Sequence, residues 1–163
     1  MNEPRTLQVT APTDREIVMT RVFNASRNLV FDAHTKPELI RRWLLGPEGW
    51  TMPVCEVDLK VGGAYRYVWR RAKDGKEMAM GGVFREIVTN QRIVNTERFD
   101  DPWYPGDAVD TLVLEEHGGM TKLTQTMLFE TQEIRDAVLK SGMEKGVAVS
   151  YDRLEEILLA PAK

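Results

Sequence analysis

Hydrophobic and polar residues alternate with different periods along the chain, and the order of these periods predicts its architecture. Residues 16–23 are rich in β-formers and predict a first strand. Helical spacing follows within residues 27–45 and predicts two short helices. Alternation with a period of two returns from Cys55 to Phe129, broken by turn residues such as Asp74-Gly75. We therefore expect about seven strands in an antiparallel meander.

The tail returns to helical spacing. Apolar residues recur there in steps of three and four, which predicts one long amphipathic helix. An antiparallel sheet must cover its apolar face, and this helix is the one long element left to do so. We predict an α+β fold in which a cavity lies between helix and sheet. The stripe consists of Met143, Val147, Tyr151, Leu154 and Leu158.

Composition excludes several classes of function. With 163 residues the chain fits one domain, expected over residues 15–161 after a flexible lead-in of residues 1–14. The net charge of −3 predicts no nucleic-acid binding, and no apolar run is long enough for membrane insertion. One cysteine and no visible secretory signal indicate a cytoplasmic protein.

Residues typical of cofactor and metal sites do not cluster. The two histidines and the single cysteine, Cys55, lack metal-ligand spacing, and no phosphate-binding glycine loop or nucleophile elbow is present. We therefore expect no metal and no cofactor, and the sequence assigns no catalytic residue.

Aromatic and methionine side chains are the strongest candidate chemistry. Any one of them could be an ordinary core residue, but together they suit an adaptable pocket of mixed polarity. We predict that they bind a small apolar or amphipathic molecule. With one acidic residue added, the predicted ligand-binding set is Trp43, Trp50, Tyr67, Trp69, Met80, Phe84, Glu97, Phe99, Met143, Val147 and Tyr151.

The acidic member is Glu97. If Phe99 points inward, Glu97 does too, because strand side chains alternate with a period of two. An inward carboxylate must find hydrogen-bond donors or shift its pKa upward, so it meets either a structural partner or a ligand. Nearby, Gly81-Gly82 inside a predicted strand indicates a bulge, a bend or a close approach by another group.

Several motifs resemble one known family over roughly residues 15–160. The chain is similar to the group of homologues of the activator of heat-shock-protein-90 ATPase, within the START-like (SRPBCC) superfamily. The resemblance rests on these segments: Arg21-Val22-Phe23-Asn24-Ala25, Phe31-Asp32-Ala33-His34-Thr35-Lys36-Pro37, Trp43 with Gly46-Pro47, Gly62-Gly63, Gly82-Val83-Phe84-Arg85-Glu86-Ile87, Thr96-Glu97-Arg98-Phe99 and Ser141-Gly142-Met143-Glu144-Lys145-Gly146.

The resemblance implies a helix-grip fold, in which a curved antiparallel sheet wraps around the C-terminal helix and encloses a hydrophobic tunnel. Relatives in the superfamily bind lipids, sterols, polyketides or plant hormones, and a few are cyclases or dehydratases. The motifs shape the scaffold and carry no shared catalytic set.

Three functions stay open at this point. The first is binding of a small ligand in the cavity. The second is a co-chaperone-like, stress-response interaction module that binds a protein client through the sheet edge or through the proline-rich loop around Trp103-Tyr104. The third is an enzyme of the cyclase or dehydratase type in which Glu97 is a general acid or base.

Overall fold

The chain folds as the alternation predicts, with one large sheet and a long C-terminal helix. The structure is a computed structural model and describes residues 6–102 and 104–159. The described elements, in chain order, are β1 (Gln8–Thr10), β2 (Glu16–Phe23), α1 (Arg27–Thr35), α2 (Pro37–Trp43), β3 (Trp50–Val57), β4 (Ala64–Arg71), β5 (Glu77–Val88), β6 (Arg92–Phe99), β7 (Ala108–His117), β8 (Met120–Leu128), α3 (Gln132–Lys140) and α4 (Met143–Leu159).

All eight described strands belong to one antiparallel sheet in the order β1-β2-β8-β7-β6-β5-β4-β3. The meander from β3 to β8 is the one that the sequence predicts. The strand count differs by one because Gln8–Thr10 pairs with β2, with Val9 opposite Met19. Three residues are too short for an alternation signal, so this strand falls within the expected N-terminal lead-in.

Helix α4 packs against the sheet and contacts strand β2, from the other end of the chain. Tyr151 contacts Phe23 of β2 with its ring edge, at 5.7 Å between centroids, and Leu154 is fully buried. Arg21, also on β2, is buried and donates to Asp152 and Glu155, both at 2.7 Å. Among the described residues, no helix is long and apolar enough to cross a membrane.

Helix α3 leads into α4 and is fixed at its start by a side-chain cap. The hydroxyl of Thr131 accepts a hydrogen bond from the Ile134 N–H at 3.2 Å, as N-capping residues do. Ile134 and Val138 then face the core. Between α3 and α4, Gly142 takes a φ of +81°, which glycine adopts without strain.

The Gly81-Gly82 pair on β5 marks a close approach between strands. A Cβ on Gly82 would lie 1.9 Å from the carbonyl oxygen of Thr96 on β6. The register shift in this ladder occurs later, between Phe84 and Glu86. The glycines therefore make room for a neighbouring backbone, and Met80 and Phe84 keep the same face of β5.

Candidate functional site

A cavity of about 470 Å³ lies between the sheet, the α1–α2 pair and the helices α3 and α4. Its wall is mainly aromatic and aliphatic. All eleven residues of the predicted ligand-binding set contribute to this wall. The structure thus brings them together, while their role in binding stays a prediction.

The period of two explains the sheet side of the wall. Tyr65, Tyr67 and Trp69 alternate along β4, so all three rings point to the same side. Neighbouring rings contact each other, with centroids 5.1 Å apart for Tyr65 and Tyr67 and 5.8 Å apart for Tyr67 and Trp69. Phe84 of β5 extends this layer and lies 5.5 Å from Tyr65. The result is a continuous aromatic surface.

The helical side of the wall is built around Trp43, at the end of α2. Its indole stacks on Tyr151 of α4, with centroids 5.7 Å apart and planes 22° from parallel. The indole N–H donates to the carbonyl of Ala33 at 2.8 Å. The N–H of Trp69, opposite, donates to Leu44 O at 2.7 Å. Because both N–H groups are used within the protein, the two indoles offer apolar surface to the cavity.

Two carboxyl groups face the cavity from adjacent strands. Glu97 on β6 and Asp110 on β7 are diagonal neighbours on one face of the sheet, since Asn95 pairs with Asp110 and Glu97 pairs with Ala108. Both are buried, and their side chains are hydrogen-bonded to each other. Two carboxyl groups form such a bond only when one of them carries the proton.

Burial favours the protonated form of Asp110 in this pair. It raises the pKa of Asp110 well above its usual value, and the nearby Glu97 raises it further. The hydrogen bond between the two groups then contains a shared proton. Chemically, the pair can accept hydrogen bonds from a bound molecule or exchange a proton with it.

A hydrogen-bond network ties the tyrosine layer to the strand that carries Glu97. The hydroxyl of Tyr65 donates to Thr96 O at 2.6 Å and accepts from Asn95 Nδ2 at 3.1 Å. Burial, and next the carboxylate of Glu97, raise the pKa of Tyr65 far above its usual value. The pKa of Tyr67 is likewise raised by burial. Both phenols are therefore protonated throughout the physiological range.

His34 of α1 adds an acceptor on the helical side. Its Nδ1 lies 2.8 Å from Val30 O, and its ring meets Trp43 edge-on at 4.8 Å. Burial lowers the pKa of His34 to about 4, so the imidazole is neutral. Its Nε2 has no hydrogen-bond partner among the described residues.

Sequence reasoning missed His34 and Asp110 as site residues. The signal for Asp110 was present, because Asp110, Leu112 and Leu114 alternate on β7 and share one face. The place of His34 depends on how α1 packs, and no pattern in the sequence specifies that packing. Further wall residues outside the predicted set include Met19, Tyr65, Asn95, Tyr104, Gln125 and Met127.

The structure also places the loop of the predicted interaction module, the single cysteine and the metal-ligating side chains. Tyr104 is buried and packs edge-on against Phe129, with centroids 5.9 Å apart, while Trp103 lies outside the described residues. Cys55 is buried in the core, and burial raises the pKa of its thiol to about 11. In the part of the chain that the structure describes, no three metal-ligating side chains lie close enough to hold an ion.

Residues 24–159 match the family described as Activator of Hsp90 ATPase homolog 1-like protein. The chain belongs to this family. The match covers most of the sheet, all four helices and every residue of the cavity wall except Met19. It supports the fold and does not identify a ligand, because proteins on one scaffold carry different activities. No protein among the curated sequences matches this chain.

Solved structures share the family's architecture over nearly the whole chain. A crystal structure from Rhodobacter sphaeroides is 28% identical, covers 96% of this chain and 99% of its own, and has a TM-score of 0.89. One from Chromobacterium violaceum is 29% identical, covers 91% and 100%, and has a TM-score of 0.80. An AHSA1-like protein from Aeromonas hydrophila, 18% identical with a TM-score of 0.67, covers 90% and 97% and shows the fold alone.

Proposed function

We propose that this member of the family binds a small apolar or amphipathic molecule in the cavity between α4 and the sheet. The observation that carries this proposal is the cavity itself. Its volume of about 470 Å³ lies within the range of about 300–1,000 Å³ that is typical of small-molecule sites. Its wall combines a large apolar surface with a few convergent polar groups, as such sites do.

The apolar wall supplies the affinity. Removing apolar surface from water contributes roughly 25 cal/mol per Å², so burying about 200 Å² of a ligand contributes about 5 kcal/mol before the loss of its freedom is subtracted. Methionines at the wall, such as Met80 and Met143, adapt to different ligand shapes because their side chains are unbranched. Glu97 and Asp110 then orient the polar part of the ligand.

The first experiment is native mass spectrometry of the protein purified from its own cells, compared with the same sample after denaturation. We expect a small molecule that accompanies the folded protein and is lost on denaturation. Binding of the uncharged dye Nile red to the purified protein is the second readout. A protein that carries no molecule and leaves the dye in water would contradict the proposal.

A matched pair of variants on α4 locates the site. Val147 lines the cavity, whereas Val149, two residues away, is 36% exposed on the outer side of the helix. Val147→Phe should fill part of the cavity and weaken dye binding, about tenfold if one hydrophobic contact of 1.4 kcal/mol is lost. Val149→Phe adds the same atoms outside and should leave binding unchanged. Equal effects of the two changes would place the dye elsewhere.

A further inference from the structure

Two residues of the cavity wall each hold a buried polar atom that has no hydrogen-bond partner among the described residues. These atoms are Nε2 of His34, on the helical side, and Oδ1 of Asp110, on the sheet side. Buried polar atoms are nearly always hydrogen-bonded in folded proteins, so an unpaired one in a residue of a cavity wall is a candidate contact for water or for a bound molecule. Which molecule fits depends on whether each atom donates or accepts.

His34 Nε2 is an acceptor. Its other ring nitrogen, Nδ1, lies 2.8 Å from the backbone carbonyl of Val30, which can only accept. The proton of the neutral imidazole therefore sits on Nδ1. Nε2 keeps a lone pair for which the described residues supply no donor.

Asp110 Oδ1 is an acceptor as well. The proton that the two carboxyl groups share lies in their hydrogen bond, so the other oxygen of Asp110 offers only lone pairs. Two nearby donors are already used: Asn95 Nδ2 donates to Tyr65 and to Thr96 O, and Tyr65 donates to Thr96 O. Asp110 thus contributes an unpaired acceptor on the sheet side of the cavity.

We propose that the cavity selects uncharged molecules that bear a hydroxyl group, alcohols or phenols on an apolar skeleton, and rejects carboxylates. This inference rests on the ligand-binding function proposed above. A hydroxyl supplies the donor that His34 Nε2 or Asp110 Oδ1 requires. A carboxylate supplies no donor, and a charged group of either sign must leave water for a mainly apolar wall.

Four probes on one rigid skeleton test this selection with the full chain: biphenyl, 4-hydroxybiphenyl, 4-methoxybiphenyl and biphenyl-4-carboxylate. Their dissociation constants are measured at neutral pH by displacement of Nile red and by calorimetry. The methoxy probe is the decisive control, because it keeps the oxygen and lacks the donor. We expect the hydroxyl probe to bind about tenfold more tightly than the methoxy probe, the factor that one hydrogen bond gives, and the carboxylate to bind most weakly.

The outcomes separate this inference from the function on which it rests. If all four probes bind and the methoxy or carboxylate probe equals the hydroxyl probe, the selection is overturned and the ligand-binding function stands. If Nile red and all four probes fail to bind, both proposals are overturned. The expected order supports both.

Two variants assign the selection to its atoms. His34→Phe and Asp110→Leu each remove one acceptor, and the ratio of the hydroxyl and methoxy affinities should fall toward one in at least one of them. His117→Phe, at the exposed end of β7, is the matched control and should keep the ratio. Thermal melting shows that each variant folds before its ratio is used. An unchanged ratio in both folded variants would overturn the assignment.

Discussion

Two groups of charged side chains, each with a buried member, lie in this fold, and they are built in opposite ways. Under α4, the guanidinium of Arg21 meets the carboxylates of Asp152 and Glu155. At the cavity wall, the carboxyl groups of Glu97 and Asp110 are hydrogen-bonded to each other. The first group pairs a cation with anions, whereas the second pairs two acidic groups through a shared proton.

The difference separates a structural role from the ligand-binding role that we propose. A cation with two anionic partners satisfies its charge inside the protein and joins α4 to the sheet. A like-charged pair destabilises the folded state, because burial and repulsion both oppose its ionisation. Such a pair at the wall of a cavity is the kind of arrangement that marks functional sites.

The largest effect is expected at the structural group. Arg21→Met keeps most of the side-chain length and removes the positive charge that Asp152 and Glu155 contact. We expect the free energy of unfolding to fall by about 3 kcal/mol, as when one partner of a buried ion pair is lost. Urea denaturation at pH 7 measures the change.

The control for Arg21 is an ion pair on the surface. Arg66 and Asp100 are also paired, but both side chains are about half exposed, so water and salt screen their attraction. Arg66→Met should therefore leave the urea midpoint nearly unchanged. Comparable losses from the two variants would remove the distinction between the buried and the exposed pair.

The next effect is a change in the free energy of unfolding with pH, which we attribute to His34. Its pKa is about 4 in the folded state and 6.5 in the unfolded chain. The unfolded state therefore binds more protons between these values, so this stabilisation is complete above pH 6.5 and is lost as the pH falls through 4. We expect a loss of about 3 kcal/mol from this group.

The variant for this test is His34→Phe, which keeps an aromatic ring beside Trp43 and cannot titrate. Its free energy of unfolding should change less between pH 6.5 and pH 4 than that of the wild type. Chemical denaturation at several pH values provides the comparison. Parallel curves for the two proteins would show that His34 is not held neutral.

Asp110 should make the free energy of unfolding depend on pH in the direction opposite to that of His34, and Asp110→Asn tests this. Because burial raises the pKa of Asp110 in the folded state, its stabilisation is present at low pH and lost as the pH rises through the folded pKa. The amide keeps a donor for Glu97 and cannot ionise. We expect a gain on the order of 1–2 kcal/mol at pH 8 and a smaller gain at pH 4.

Glu115→Gln, an exposed carboxyl-to-amide change on β7, provides the background for this comparison. Denaturation of both variants and the wild type at pH 4 and pH 8 gives the required differences. A destabilised Asp110→Asn protein at pH 8 would mean that the charge at the cavity wall is stabilised by the fold.

How far the sequence predicts the molecule can be seen in these same groups. The alternation of Tyr65, Tyr67 and Trp69 predicts that they share one face of the strand. The spacing of two residues between Glu97 and Phe99 predicts that both point inward. Nothing in the sequence pairs Arg21 with residues more than 130 positions away. Long-range contacts of this kind follow from helix packing, which a periodic pattern does not specify.

The smallest effect distinguishes the two partners of Arg21. Glu155 is 21% exposed, whereas Asp152 is 70% exposed, so water screens the second contact much more strongly than the first. We expect Glu155→Gln to lower the free energy of unfolding by about 1 kcal/mol and Asp152→Asn by only about 0.3 kcal/mol.

Urea denaturation measures both changes, first at low ionic strength and then in about 1 M salt, where the Debye length is about 3 Å. Added salt should abolish the effect of Asp152→Asn and preserve most of that of Glu155→Gln, because salt screens exposed charges more than buried ones. If added salt abolished the effects of both variants, solvent would reach Arg21. The contrast between the Arg21 group and the carboxyl pair would then depend only on the burial of Asp110.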